Sequence, residues 1–115
     1  MSSIIPFISV DNAVEAIEFY KEVFGAKVQG EITWLKNFPE YDRPEFENKI
    51  GHCTLKFDDS VIFINDTSDD YPLTIGNRLQ LVYDFKTEDE LRIAFSQLKK
   101  GGKMIDEIQE VFWGA

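Results

Sequence analysis

"DNAVEAIEFYKEVFGAK", Asp11 to Lys27, and "TEDELRIAFSQLKKGGK", Thr87 to Lys103, are the two stretches whose reading decides the fold. In the first, Ala13, Ala16, Ile17, Tyr20 and Phe24 recur at three- and four-residue spacing, which is one face of an α-helix. Asn12, with Glu15 three residues on, is an N-terminal capping pair. Gly25 stops the helix. The second stretch follows the same syntax. Thr87 and Glu90 form the capping box, Leu91, Ala94, Phe95 and Leu98 make the buried face, and Gly101 and Gly102 end it. Asn12 and Thr87 lie 75 positions apart. After each glycine stop comes a matching run, "KVQGEI" from Lys27 and "KMIDEI" from Lys103, with Lys, Glu and Ile at the same relative places. Two units in register are an internal repeat.

Strands complete the units. "IIPFISV", Ile4 to Val10, is short and apolar, and Pro6 assigns it to a sheet edge. "EITWLKNF", Glu31 to Phe38, reads as a strand, and "PEYDRPEFEN" after it is a polar loop with two prolines. "KIGHCTLKFDDSVIFIND" reads as two strands around the turn pair Asp58–Asp59. "RLQLVYDF", Arg78 to Phe85, opens the second unit as a strand. The expected fold is α+β: a single domain over 1–115, with a β-α-β-β-β module over about 1–70 and a partial second module over about 77–115.

Composition narrows the function. A chain of 115 residues is long enough for one sizeable core. Its net charge of −9 shows no basic patch, which argues against a nucleic-acid partner. No apolar run is long enough to span a membrane, and "MSSIIPFISV" lacks the basic start of a secretory signal. The single cysteine, Cys53, forms no internal disulfide. A cytoplasmic location is the expectation. Cys53 alternates with Leu55 and Phe57 on a core-like strand face, where it acts as a small hydrophobe. His52, the only histidine, shares the other face with Thr54 and Lys56, which looks to solvent or to a cavity. Imidazole is the side chain suited to proton transfer near neutral pH, so His52 is the candidate catalytic acid/base. No Gly-rich phosphate loop, Ser-His-Asp spacing or CxxC pair occurs.

The pattern resembles the vicinal oxygen chelate superfamily of glyoxalases, bleomycin-resistance proteins and extradiol dioxygenases. "IPFISVDNAVEAIEFYKEVFGAK" is similar to the opening of its PhnB-like branch. "GHCTLKFDDSVIFIND" resembles that branch's strand pair carrying one histidine, and "EVFWGA", Glu110 to Ala115, resembles the tryptophan segment before its last two strands. The resemblance implies paired β-α-β-β-β modules, the second lacking its last two strands here. It implies that the cavity side is the one His52 faces, near Phe7 and Ser9 of the first strand. It also implies two outcomes for the "EVFWGA" run: either the natural chain continues, or a second copy supplies the missing pairing in a two-fold homodimer.

Metal-dependent members of that superfamily take His, Glu or Gln ligands from four strand positions. Matching the helix starts puts three of these at Ile5, Phe63 and Gln80, with the fourth beyond Ala115. Ile and Phe offer no lone pair, so the expectation is no metal and no cofactor. Tyr41 and Phe46, in the polar loop, together with Phe7, Ser9, Phe63, Gln80 and Trp113, are candidate ligand-binding residues. Two functions stay open. One is a metal-free protein of the bleomycin-resistance kind, binding a cationic or aromatic small molecule. The alternative is a metal-dependent lyase, isomerase or dioxygenase using His52, its metal held in a further strand.

Overall fold

The computed structural model describes residues 2–67, 73–74, 76, 78–102 and 108. The chain divides into two compact units, 1–77 and 78–115. In the first unit, β1 (Phe7–Val10), α1 (Ala13–Phe24), β2 (Lys27–Val28), β3 (Thr33–Trp34), β4 (Ile50–Phe57) and β5 (Ser60–Asp66) follow in chain order. The sheet order is β1-β5-β4-β2, with β3 also paired to β4. β1 runs parallel to β5, with Phe7 opposite Phe63 and Ser9 opposite Asn65. β4 and β5 form an antiparallel hairpin through Asp58–Asp59, with Thr54 opposite Phe63. Asp58 takes the left-handed φ of 50°, which an aspartate tolerates better than most side chains. β1 lies at the sheet edge, the place expected from Pro6, whose carbonyl accepts from the Phe63 N–H at 2.9 Å.

Helix α1 forms where the capping pattern places it. The Asn12 Oδ1 accepts from the Glu15 N–H at 3.2 Å, and Gly25 closes the helix at φ 68° with its N–H on Lys21 O. Its Ala13 and Ile17 are buried against Cys53, Leu55 and Ile64 from the two central strands. Each large apolar side chain buried there contributes roughly 1.5–3 kcal/mol. Trp34 packs partly buried against this core.

Among the described residues one polar side chain enters that core. Asp66 is 4% exposed; its two carboxylate oxygens accept from the Ala13 N–H at 2.8 Å and the Ile50 N–H at 2.7 Å. The end of β5, the first turn of α1 and the start of β4 are thereby tied to one group. Lys49 Nζ lies 4.0 Å from the carboxylate and donates to Asp11 O at 3.2 Å.

Three strand expectations need correction. The first strand is shorter than Ile4–Val10, because only Phe7–Val10 has a partner ladder. Glu31–Phe38 is strand only at Thr33–Trp34; the β3–β4 register slips there, and single 3₁₀ turns follow at Leu35–Asn37, Pro39–Tyr41 and Pro44–Phe46. Prolines at the start of the last two turns preset φ for a helical turn. Gly51 lies beneath this segment: a Cβ there would stand 3.3 Å from Leu35 Cδ2 and 3.4 Å from Thr33 O, so a side chain would push the segment off the strand.

In the second unit, α2 (Glu88–Gly101) starts as its capping box directs, with Thr87 Oγ1 accepting from the Glu90 N–H at 3.1 Å. Ala94 is buried, while Leu91, Phe95 and Leu98 are half-buried. Gly102 ends α2 in an extended conformation rather than the left-handed one of Gly25. A Cβ at Gly102 would meet Leu98 O at 3.0 Å, so close backbone approach is the constraint. The third correction is Arg78–Phe85. Described throughout, it forms no strand, and Leu79 and Val82 are 82% and 93% exposed. Alternating apolar residues make a strand only when a neighbouring strand forms a ladder with their backbone groups.

Replacing Asp66 by Ala strands two buried N–H donors, each costing about 1–3 kcal/mol. Asp66→Ala is expected to lower the urea unfolding free energy by roughly 2–5 kcal/mol, with Asp66→Asn intermediate because one acceptor oxygen remains. A loss below about 1 kcal/mol for Asp66→Ala would show that water replaces the carboxylate.

Candidate functional site

Alternation along the strands gives the first unit's sheet two chemically different faces. Cys53, Leu55 and Ile64 point to α1. The opposite face carries His52 and Thr54 of β4, Phe63 and Asn65 of β5, and Phe7 and Ser9 of β1. His52, Phe7 and Phe63 meet there. The His52 and Phe63 ring centroids are 4.6 Å apart, and Phe7 stands 5.9 Å from each. All three contacts are edge-to-face, an arrangement that favours aromatic pairing and fixes the rings. His52 Nε2 lies 3.3 Å from Thr54 Oγ1, where the hydroxyl donates or accepts according to the tautomer. Ser9 Oγ donates to Asn65 Oδ1 at 2.7 Å. Phe7 remains 55% exposed, so this aromatic group is open to a ligand.

Of the residues expected at a site, the sheet thus brings together Phe7, Ser9, His52 and Phe63. Tyr41 and Phe46 turn to each other, with ring centroids 5.2 Å apart, and the Arg43 guanidinium lies 4.8 Å over Phe46. Arg43 also pairs with Glu45 at 3.5 Å. The loop's aromatics are therefore largely engaged with one another. Gln80 is exposed in the second unit. Trp113 lies outside the described residues. Alternation already sets Thr54 on the His52 face, though not as a site residue; Asn65 escaped the sequence reading, and alternation along Val61–Asn65 would have found it once Phe63 was chosen.

Cys53 is fully buried beside this face. Burial pushes its thiol above the ordinary value of 9.0, while the Lys21 ammonium pulls the other way. Lys21 reaches it from α1, not from the strand, and so was invisible to spacing along β4.

A sequence profile described as the Glyoxalase/Bleomycin resistance protein/Dioxygenase superfamily matches residues 4–115. No curated protein matches the chain. Among solved structures, protein PA1353 from Pseudomonas aeruginosa aligns with a TM-score of 0.82 at 19% identity, covering 98% of this chain and 84% of its own. The PhnB protein from Bacillus cereus aligns at 0.77 and 20% identity, covering 97% and 84%. TioX from Micromonospora sp. ML1 aligns at 0.54 and 15% identity, covering 98% and 81%. At these identities the likeness speaks for the fold alone.

The raised Cys53 pKa has a testable sign. A thiol held neutral in the folded chain contributes stability below its ordinary value and loses it as pH rises through the folded value. Unfolding free energy is therefore expected to fall between pH 8 and pH 10 more steeply in the native chain than in Cys53→Ala, by urea denaturation at each pH. Parallel curves would show that the thiol titrates normally.

Proposed function

We propose a metal-free small-molecule-binding role for this chain, which belongs to the glyoxalase/bleomycin resistance protein/dioxygenase superfamily. The observation that carries the reading is the His52–Phe7–Phe63 group on the open sheet face. Three rings held edge-to-face, one of them mostly exposed, offer a flat ligand both stacking and edge contacts. His52 and Thr54 add polar groups that fix its orientation. In this role Phe7, Ser9, His52 and Phe63 belong to the site, and the chain works as a cytoplasmic two-fold dimer.

The donor chemistry supports the metal-free half of the reading. A divalent cation needs three or four protein ligands with lone pairs. Ile5 and Phe63 stand at two of the superfamily's ligand positions and have none, which leaves Gln80 as a single weak donor. Among the described residues no group of three or more His, Cys, Asp or Glu side chains could hold a metal ion. Asp66, the one buried carboxylate among the described residues, is spent on Ala13 and Ile50. The residues present do not fit the metal centre of the superfamily's enzymes, and no catalytic step through such a centre is derived.

Calorimetric titration with a panel of planar aromatic compounds tests the reading. At least one is expected to bind with a Kd tighter than millimolar, and His52→Ala and Phe7→Ala should each weaken it about five- to thirtyfold, or about 1–2 kcal/mol. If every compound binds more weakly than millimolar, the binding role is lost. A stoichiometric divalent ion in the purified protein would favour a metal-dependent enzyme instead.

A further inference from the structure

The open face differs in charge from the rest of the molecule. The chain holds 21 acidic and 12 basic residues. Yet among the described residues no strand residue on the face that bears His52 is acidic. Its charges are Lys56 of β4 and Lys27 of β2, which the antiparallel register sets directly opposite each other. Like charges directly opposed across two strands repel, and both side chains are exposed. The nearest acids in sequence, Asp58 and Asp59, sit in the β4–β5 turn, beyond the β2–β4 ladder. An anion held between the two ammonium groups would turn this repulsion into attraction.

We propose that the ligand of this face is an aromatic acid: a flat ring seated at His52, Phe7 and Phe63, with an anionic group on an arm that reaches Lys27 and Lys56. The inference rests on the binding role proposed above and names the ligand's charge. The strand fixes the length of the arm. Thr54, opposite Phe63, is two residues from Lys56, and His52 is four, so at about 3.4 Å per residue the anion lies roughly 7–14 Å from the ring site. Carboxylate and phosphate both suit two ammonium point charges. A cationic ligand, which the net charge of the whole chain suggests, would meet two like charges on this face. The acidic remainder of the surface sets solubility, while the local pair sets selectivity.

Probes that share one ring and differ only in the arm test this: pyrenebutyrate, pyrenebutyl phosphate, pyrenebutanol and pyrenebutyl-trimethylammonium, titrated by fluorescence anisotropy at low and high salt. The two anions are expected to bind about tenfold tighter than the alcohol, and the cation more weakly. The tighter anion identifies the group. The paired substitution Lys27→Gln with Lys56→Gln should bring the anions to the level of the alcohol and leave the alcohol unchanged. Lys27→Glu with Lys56→Glu should reverse the preference. Phe7→Ala should weaken all four probes alike, which separates the ring site from the charge pair. Equal, salt-independent binding of all probes would overturn the charge assignment while leaving the binding role intact, as would tightest binding by the cation. Failure of every probe, with other planar compounds also failing, would remove both.

Discussion

The first unit depends on one carboxylate. Asp66 ends β5, and its two oxygens take the first backbone N–H of α1 and the first of β4. Both donors are buried, and a buried unpaired N–H is costly. The carboxylate also sits at the positive end of the helix dipole, where a negative charge is favoured. A single side chain thus sets where the helix begins relative to the hairpin. The hydrophobic contacts of Ile17 with the sheet could be satisfied by several small slides of the helix; two short hydrogen bonds to fixed points allow only one.

That placement produces the site. With α1 held over Cys53, Leu55 and Ile64, the alternate residues of the same strands turn the other way. His52 and Cys53 are adjacent, yet one joins an aromatic group on the open face and the other is sealed in the core. Pairing β1 in parallel with β5 brings Phe7 against Phe63, and the hairpin brings His52 to the same spot. Lys27 and Lys56 belong to this geometry too, since β2 is only two residues long and its register alone opposes them.

Membership of a superfamily rich in metal enzymes does not carry the metal with it. The fold places side chains, and chemistry follows from which side chains stand there. Here the face that bears His52 holds rings, hydroxyls and lysines. Those groups are the ones on which the proposed recognition of a flat anion rests.

Local chemistry by itself determined the parts that depend on near neighbours. The capping pairs Asn12–Glu15 and Thr87–Glu90 placed both helix starts, because a cap acts within three residues. Asp58–Asp59 placed the hairpin, and alternation separated His52 from Cys53. Pro6 assigned β1 to an edge. Tertiary structure decided what no neighbour could. Leu79 to Tyr83 alternate as a strand should, but a ladder needs a partner, and pattern cannot supply one. The Glu31–Phe38 run broke into turns because β3 slips register and its continuation packs over Gly51. Asp66 read as the polar end of a strand and became the group that joins three elements. Lys27 and Lys56 became opposed only through register, a long-range property set by hydrogen bonds between strands far apart along the chain.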